Sequence, residues 1–233
     1  MQTDRYSRPD SRATQYDAGL RNHMLSVYNR MTAGVLITAL TAWVVGSSEV
    51  LRQLFLGGPQ AYIVMFAPLA IVFFAFNPAK MSSQKLMLAF GGISVLYGIS
   101  FSTIALAFAQ ADIARALFIT SAMFAAVSIF GYTTKKDLRP LATFAVMAIW
   151  GLILVGITGI FVEYSHGVEI AISAFSVLVF AGLTAWQTQD MKNMYNAAHG
   201  EEINSRLAWS AALNLYISFV AMFMHILQLT SNR

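Results

Sequence analysis

Two sets of polar side chains in this otherwise apolar sequence could do chemistry. The first is a stripe, Ser210, Asn214, Ser218, Ala221, His225 and Gln228, at spacings of three and four. That spacing puts all six on one face of a helix. Hydroxyl, amide and imidazole groups in a line can form a hydrophilic path for an ion, or can simply hydrogen-bond a neighbouring helix. The second set is Thr184, Gln187 and Asp190, at spacings of three, with Thr188 and Gln189 beside them. These share a helix face and offer one carboxylate, either at a functional mouth or at a helix end reaching water.

Neither set makes an enzyme. The chain has no Cys, so it lacks a thiol nucleophile and any Cys-based metal site. His23, His166, His199 and His225 are scattered, with no His-Glu-x-x-His pair to hold zinc. Gly98-Ile99-Ser100 could carry a serine nucleophile beside a membrane histidine, but the same tripeptide recurs at 92–94 by composition. No phosphate-cradling glycine motif is present, and no cofactor is implied. The expectation is a non-enzymatic protein.

The elements that must position these groups follow from charge. Of 233 residues 57% are apolar and 11% charged, with a mean hydropathy of +0.60, against about a quarter charged in a soluble domain. All 26 charges fall outside seven uncharged runs: 31–48, 53–79, 86–111, 116–134, 140–162, 170–189 and 207–232. A helix needs roughly 20 apolar residues to cross about 30 Å of hydrocarbon. The fold class is therefore an all-α membrane protein, a seven-transmembrane helical bundle.

Lys and Arg set its orientation. With the N-terminus inside, twelve of the fifteen lie on the inner side, leaving Arg52, Arg115 and Arg233 outside. Cytoplasmic segments carry the basic excess, so the N-terminus is cytoplasmic and the C-terminus outside. This topology accounts for the net charge of +4 without a nucleic-acid partner, and the basic inner face suits anionic headgroups of the lipid bilayer.

Residues 1–20 are polar and Arg-rich, and are expected to form a disordered tail. Residues 21–233 form the single seven-helix domain. Its second span is expected over Gln60 to Phe76, its third over Leu86 to Phe108 and its sixth to about Trp186, continuing into the cytoplasm. The inner loop from Ala197 to Arg206 is expected to be the longest and most polar. In the first span Gly34, Thr38, Ala42 and Gly46 recur every fourth residue, a small-residue seam for close helix packing.

Three segments carry a family resemblance: Gly131-Tyr132-Thr133-Thr134-Lys135-Lys136-Asp137-Leu138, Gly182-Leu183-Thr184-Ala185-Trp186-Gln187-Thr188-Gln189, and Ala212-Leu213-Asn214-Leu215-Tyr216 through Phe219, Phe223 and Leu227. With them the chain resembles the bacterial-type members of the Bax inhibitor-1 family of seven-span membrane proteins. The resemblance implies passive leak of calcium, and for bacterial relatives restraint of a membrane-anchored AAA protease in the inner (plasma) membrane. It also implies a gate in which two aspartates on the last two helices share hydrogen bonds and sense pH. Here those positions are Gln187 and Ser218, and a family Asn three residues on is Ala221. Two carboxylates held close titrate as a coupled pair; a Gln and a Ser do not ionise in this range. The resemblance thus implies a cation leak whose gate keeps its hydrogen bond and loses its proton switch. Thr184, Asp190, Asn214 and His225 flank that seam, with Asp190 or His225 as substitute titrating groups. The alternative is an interaction protein acting on a membrane protease or another membrane partner.

Overall fold

A computed structural model describes residues 11–231 except 160. Among the described residues the structure is helical, without strands. Six helices are each long and apolar enough to cross a membrane, and a bent pair supplies a seventh crossing if it counts as one span. Their outward faces carry large apolar side chains such as Trp43, Ile63, Phe74, Phe118 and Leu178. Thr38, Ser94, Thr120, Ser176, Thr184, Thr188 and Ser218 point inward and are buried. That inversion suits a lipid surround, where a polar group needs a protein partner.

Helix α1 (Ser11–Ser47) runs through the first span. Residues 1–10 of the expected tail lie outside the described residues. Ser11 to Leu20 are helical instead of irregular: between 11 and 18 neither Gly nor Pro interrupts the backbone, and the helix of the span simply continues. The second span lies where expected, from Gln60 to Ala75, and a separate short helix precedes it at an angle. Helix α2 (Glu49–Leu56), capped by the Ser48 side chain, meets α3 (Gln60–Ala70) and its π-helical continuation Ile71–Ala75 at 73°. Pro68 inside α3 withholds a backbone N–H, and the widened π turn follows directly. The third span is shorter than expected. Helix α4 (Ser83–Phe101) ends where the Ser102 hydroxyl donates to the Ile99 carbonyl, and a four-residue α5 (Ile104–Ala107) follows.

Helices α6 (Gln110–Thr133), α7 (Arg139–Thr158), α8 (His166–Met194) and α9 (Gly200–Thr230) complete the bundle. The inner loop before α9 is short, because Gly200 to Arg206 have joined the last helix. Gly200, at φ 71° and ψ 166°, makes the turn into it, a conformation that suits only glycine.

Helix α9 is the hub, packed on α1, α4, α6 and α8, while α7 leans on α8 and α3 on α4. Tyr216, Leu215, Met222 and Leu227 of α9 are fully buried. The small-residue seam of α1 lies on α4, with Gly34 beneath the Phe90 ring and Gly46 against the Ser102 backbone. Gly131 lets α6 approach α8 so closely that a Cβ there would overlap the Ala185 carbonyl oxygen. Below it, the Gln189 side chain fastens the basic loop. Its amide nitrogen donates to the Lys136 carbonyl at 2.8 Å, and its oxygen accepts from the Leu138 N–H at 3.0 Å.

Candidate functional site

The stripe on α9 faces α8 along its length. Near mid-helix the buried Ser218 hydroxyl donates to Gln187 Oε1 at 3.0 Å. Toward the outside, Ser173 of α8 donates to Gln228 Oε1 at 2.8 Å. The two residues singled out from opposite ends of the sequence pattern are thus direct partners.

Open space lies on either side of the Ser218–Gln187 bond. On the inner side is a cleft of about 20 Å³ lined by Gln187, Asp190, Ser210 and Asn214. A water needs roughly 10–15 Å³ of such space, so the cleft has room for one. On the outer side an open groove of about 510 Å³ lies between α7, α8 and α9, walled by Ser173, Ser176, Ala221, His225 and Gln228, with Glu169 among its lining residues. Ala221 stands three residues from Ser218, about 4.5 Å of helix rise, so the two spaces lie close together along α9.

A carboxylate belongs to each space, Asp190 to the inner and Glu169 to the outer. They are 21 residues apart on α8, about 32 Å of helix, close to the thickness of the hydrocarbon. Glu169 stands in the first turn of α8, where a carboxylate also suits the helix N-terminus. A negative group at either end of a polar seam attracts cations and repels anions.

The other expected site residues separate. Asn214 lines the inner cleft with Asp190. Thr184 does not join it: its hydroxyl returns to the Phe180 carbonyl of its own helix at 2.8 Å. His225 lines the outer groove, with Nδ1 unpartnered among the described residues, and does not reach the Ser218–Gln187 bond. Among the described residues no three His, Asp or Glu side chains group to hold a metal.

Two polar networks were not legible as such. At the centre, the Thr38 and Tyr216 hydroxyls lie 2.7 Å apart, and Thr38 Oγ1 lies 2.9 Å from the Ser94 carbonyl, joining α1, α4 and α9. Thr38 had been read only as a small packing residue. At the inner end, Arg30 donates to the Ser205 carbonyl at 2.7 Å and to its hydroxyl at 3.0 Å, with its guanidinium 4.4 Å above the Trp209 ring. Ser83 joins the same group through the Ser205 hydroxyl and the Glu202 carboxylate. Arg30 had entered only as a topology marker; its place beside a span end, in a chain with so few charges, was the available signal.

Similarity to known proteins extends over nearly the whole chain. The family model described as inhibitor of apoptosis-promoting Bax1 matches residues 20–233. The protein RP147 of Rickettsia prowazekii is 35% identical over 224 residues, covering 96% of this chain and 94% of the relative. Inner membrane protein YbhL of Escherichia coli is 34% identical, covering 99% of both chains. YrjE of Lactococcus lactis is 32% identical, covering 92% of each.

Proposed function

The chain belongs to the Bax inhibitor-1 family of multi-pass membrane proteins, and on that premise we propose that it is a non-enzymatic cation leak, with calcium as the cargo, in a bacterial inner membrane. The name of the YbhL relative supports the location. The observation that supports the reading is the Ser218–Gln187 bond, which lies between two spaces each lined by a carboxylate. In this reading the seam opens when α8 and α9 part and the bond breaks, and a cation passes from Glu169 to Asp190. Because neither partner ionises, opening depends on thermal parting of the helices and not on pH. The test is calcium flux into liposomes holding the purified protein from pH 5 to 8, where a flat profile supports the reading.

A second reading, an interaction protein acting on a membrane-anchored protease, is favoured by one feature. A polar cleft of about 470 Å³ opens between α1, the inner end of α9 and the turn that precedes it, with Asn22, His23, Arg30, Glu201 and Asn204 in its walls. Loss of protease co-purification from Glu201→Lys, with flux unchanged, would favour this reading over the leak.

A further inference from the structure

We propose that the groove between α1 and α6 seats one anionic phospholipid of the inner leaflet, its acyl chain against the groove and its phosphate on the Lys135–Lys136–Lys192 cluster. The inference is independent of the seam between α8 and α9 and of what passes through it.

The groove exists because α1 and α6 flank α9 on the same side without packing on each other; each rests on α9 instead. The gap they leave measures about 670 Å³, within the range of small-molecule sites. Met24, Tyr28 and Val35 form one wall, Leu117, Phe124 and Ile129 the other, with Phe219 of α9 also lining it. From Leu117 to Tyr132 it follows α6 for about 22 Å, more than the roughly 15 Å of one leaflet's hydrocarbon. One acyl chain fits that length.

Its inner end is built differently. Arg21 and Tyr132 stand there, and Tyr132 also lines an adjoining pocket of about 370 Å³ with Lys135, Lys136, Arg139 and Lys192. Lys192 donates to the Tyr132 carbonyl at 3.3 Å and its ammonium lies 4.8 Å from the Tyr132 ring centre. The one acid lining this pocket, Asp137, accepts from the Arg139 backbone N–H. Among the described residues Lys135, Lys136 and Lys192 have no ion-pair partner. An apolar trough that runs into three unpaired ammonium groups is complementary to one kind of molecule: a chain with an anionic head. In the bilayer that is an acidic glycerophospholipid.

A third observation lies between the two. Ser128 stands in the groove wall four residues below Tyr132, about 6 Å deeper, where the ester linkages of such a lipid would be. Its buried hydroxyl has no partner among the described residues. The hydroxyls of Thr120, Ser176 and Thr184 instead return to their own helices' carbonyls at 2.7–2.8 Å.

The experiment is native mass spectrometry of the full chain in detergent, titrated with phosphatidylglycerol or phosphatidylcholine of equal chain length. The wild type is expected to retain one phosphatidylglycerol in preference to phosphatidylcholine. An exposed ion pair contributes roughly twofold, so Lys135→Gln, Lys136→Gln, Lys192→Gln together should lower that preference by on the order of tenfold. Ala125→Trp, which fills the groove from its exposed wall, should abolish retention of both lipids. An unchanged preference in the triple variant, or unchanged retention in Ala125→Trp, would overturn the proposal. Lys135 and Lys136 are exposed, so the double variant Lys135→Gln, Lys136→Gln, which leaves the Lys192–Tyr132 contact in place, must also lower the preference and decides the matter even if Ala125→Trp fails to fold.

Discussion

Replacing Ser218 with Ala removes the donor that holds α9 to Gln187 of α8 and leaves the rest of the seam in place. Ser218 is fully buried, and its hydroxyl has this one bond, at 3.0 Å. Interhelical hydrogen bonds in membranes average about 0.6 kcal/mol, with a maximum near 1.7. If closed and open seams differ by this bond, its loss raises the open population about threefold at the mean value and roughly twentyfold at the maximum. Initial calcium flux into dye-loaded liposomes at pH 7 should rise by that factor. Ser173→Ala is the internal control. It breaks a bond of similar length between the same helices, but beside the outer groove and not at the Ser218–Gln187 bond, so it should change flux less than twofold. Equal flux in wild type and Ser218→Ala, with the protein folded, would refute the gate assignment. A rise in Ser173→Ala alone would move the gate outward.

Other expectations concern the frame around the seam. Gly131→Leu should part α6 from α8 and cost about 1–3 kcal/mol, seen as a lower midpoint in detergent thermal unfolding; Gly151→Leu, which meets open space, should not. Arg30→Ala removes two hydrogen bonds and a ring contact joining α1 to α9, and should likewise lower the midpoint, with Arg30→Lys restoring only part because an ammonium lacks the planar fork. Gln189→Ala frees both backbone ties of the basic loop, and should speed tryptic cleavage after Lys135 and Lys136 in inside-out vesicles.

The spans were readable from charge because hydrocarbon penalises every ionised group alike, whatever the packing. The angles at their breaks were not. In the uncharged run 53–79 the turn residues Gly57, Gly58 and Pro59 mark a break, but hydropathy gives neither its 73° angle nor the π turn that follows Pro68. The facing of Ser218 toward Gln187 was implicit in two helical spacings, which fix a face but not its partner. Thr184 shared that spacing and still left the seam, because a helical threonine can satisfy its hydroxyl on its own backbone. The Thr38–Tyr216 pair was hidden for the opposite reason: a tyrosine reads as bulk and a threonine in a glycine stripe reads as smallness, until three helices meet around them.

The central claim is that this seam is held by a hydrogen bond that does not titrate. Its most direct test is calcium flux across pH 5 to 8 for the wild type and for the double variant Gln187→Asp, Ser218→Asp. Two carboxylates at these adjoining positions cannot both ionise without repulsion, so the double variant should close in acid and open toward neutral pH. The wild type should stay flat within about twofold, there being no ionising partner in the bond. A steep acid response in the wild type that survives His225→Ala would contradict the account.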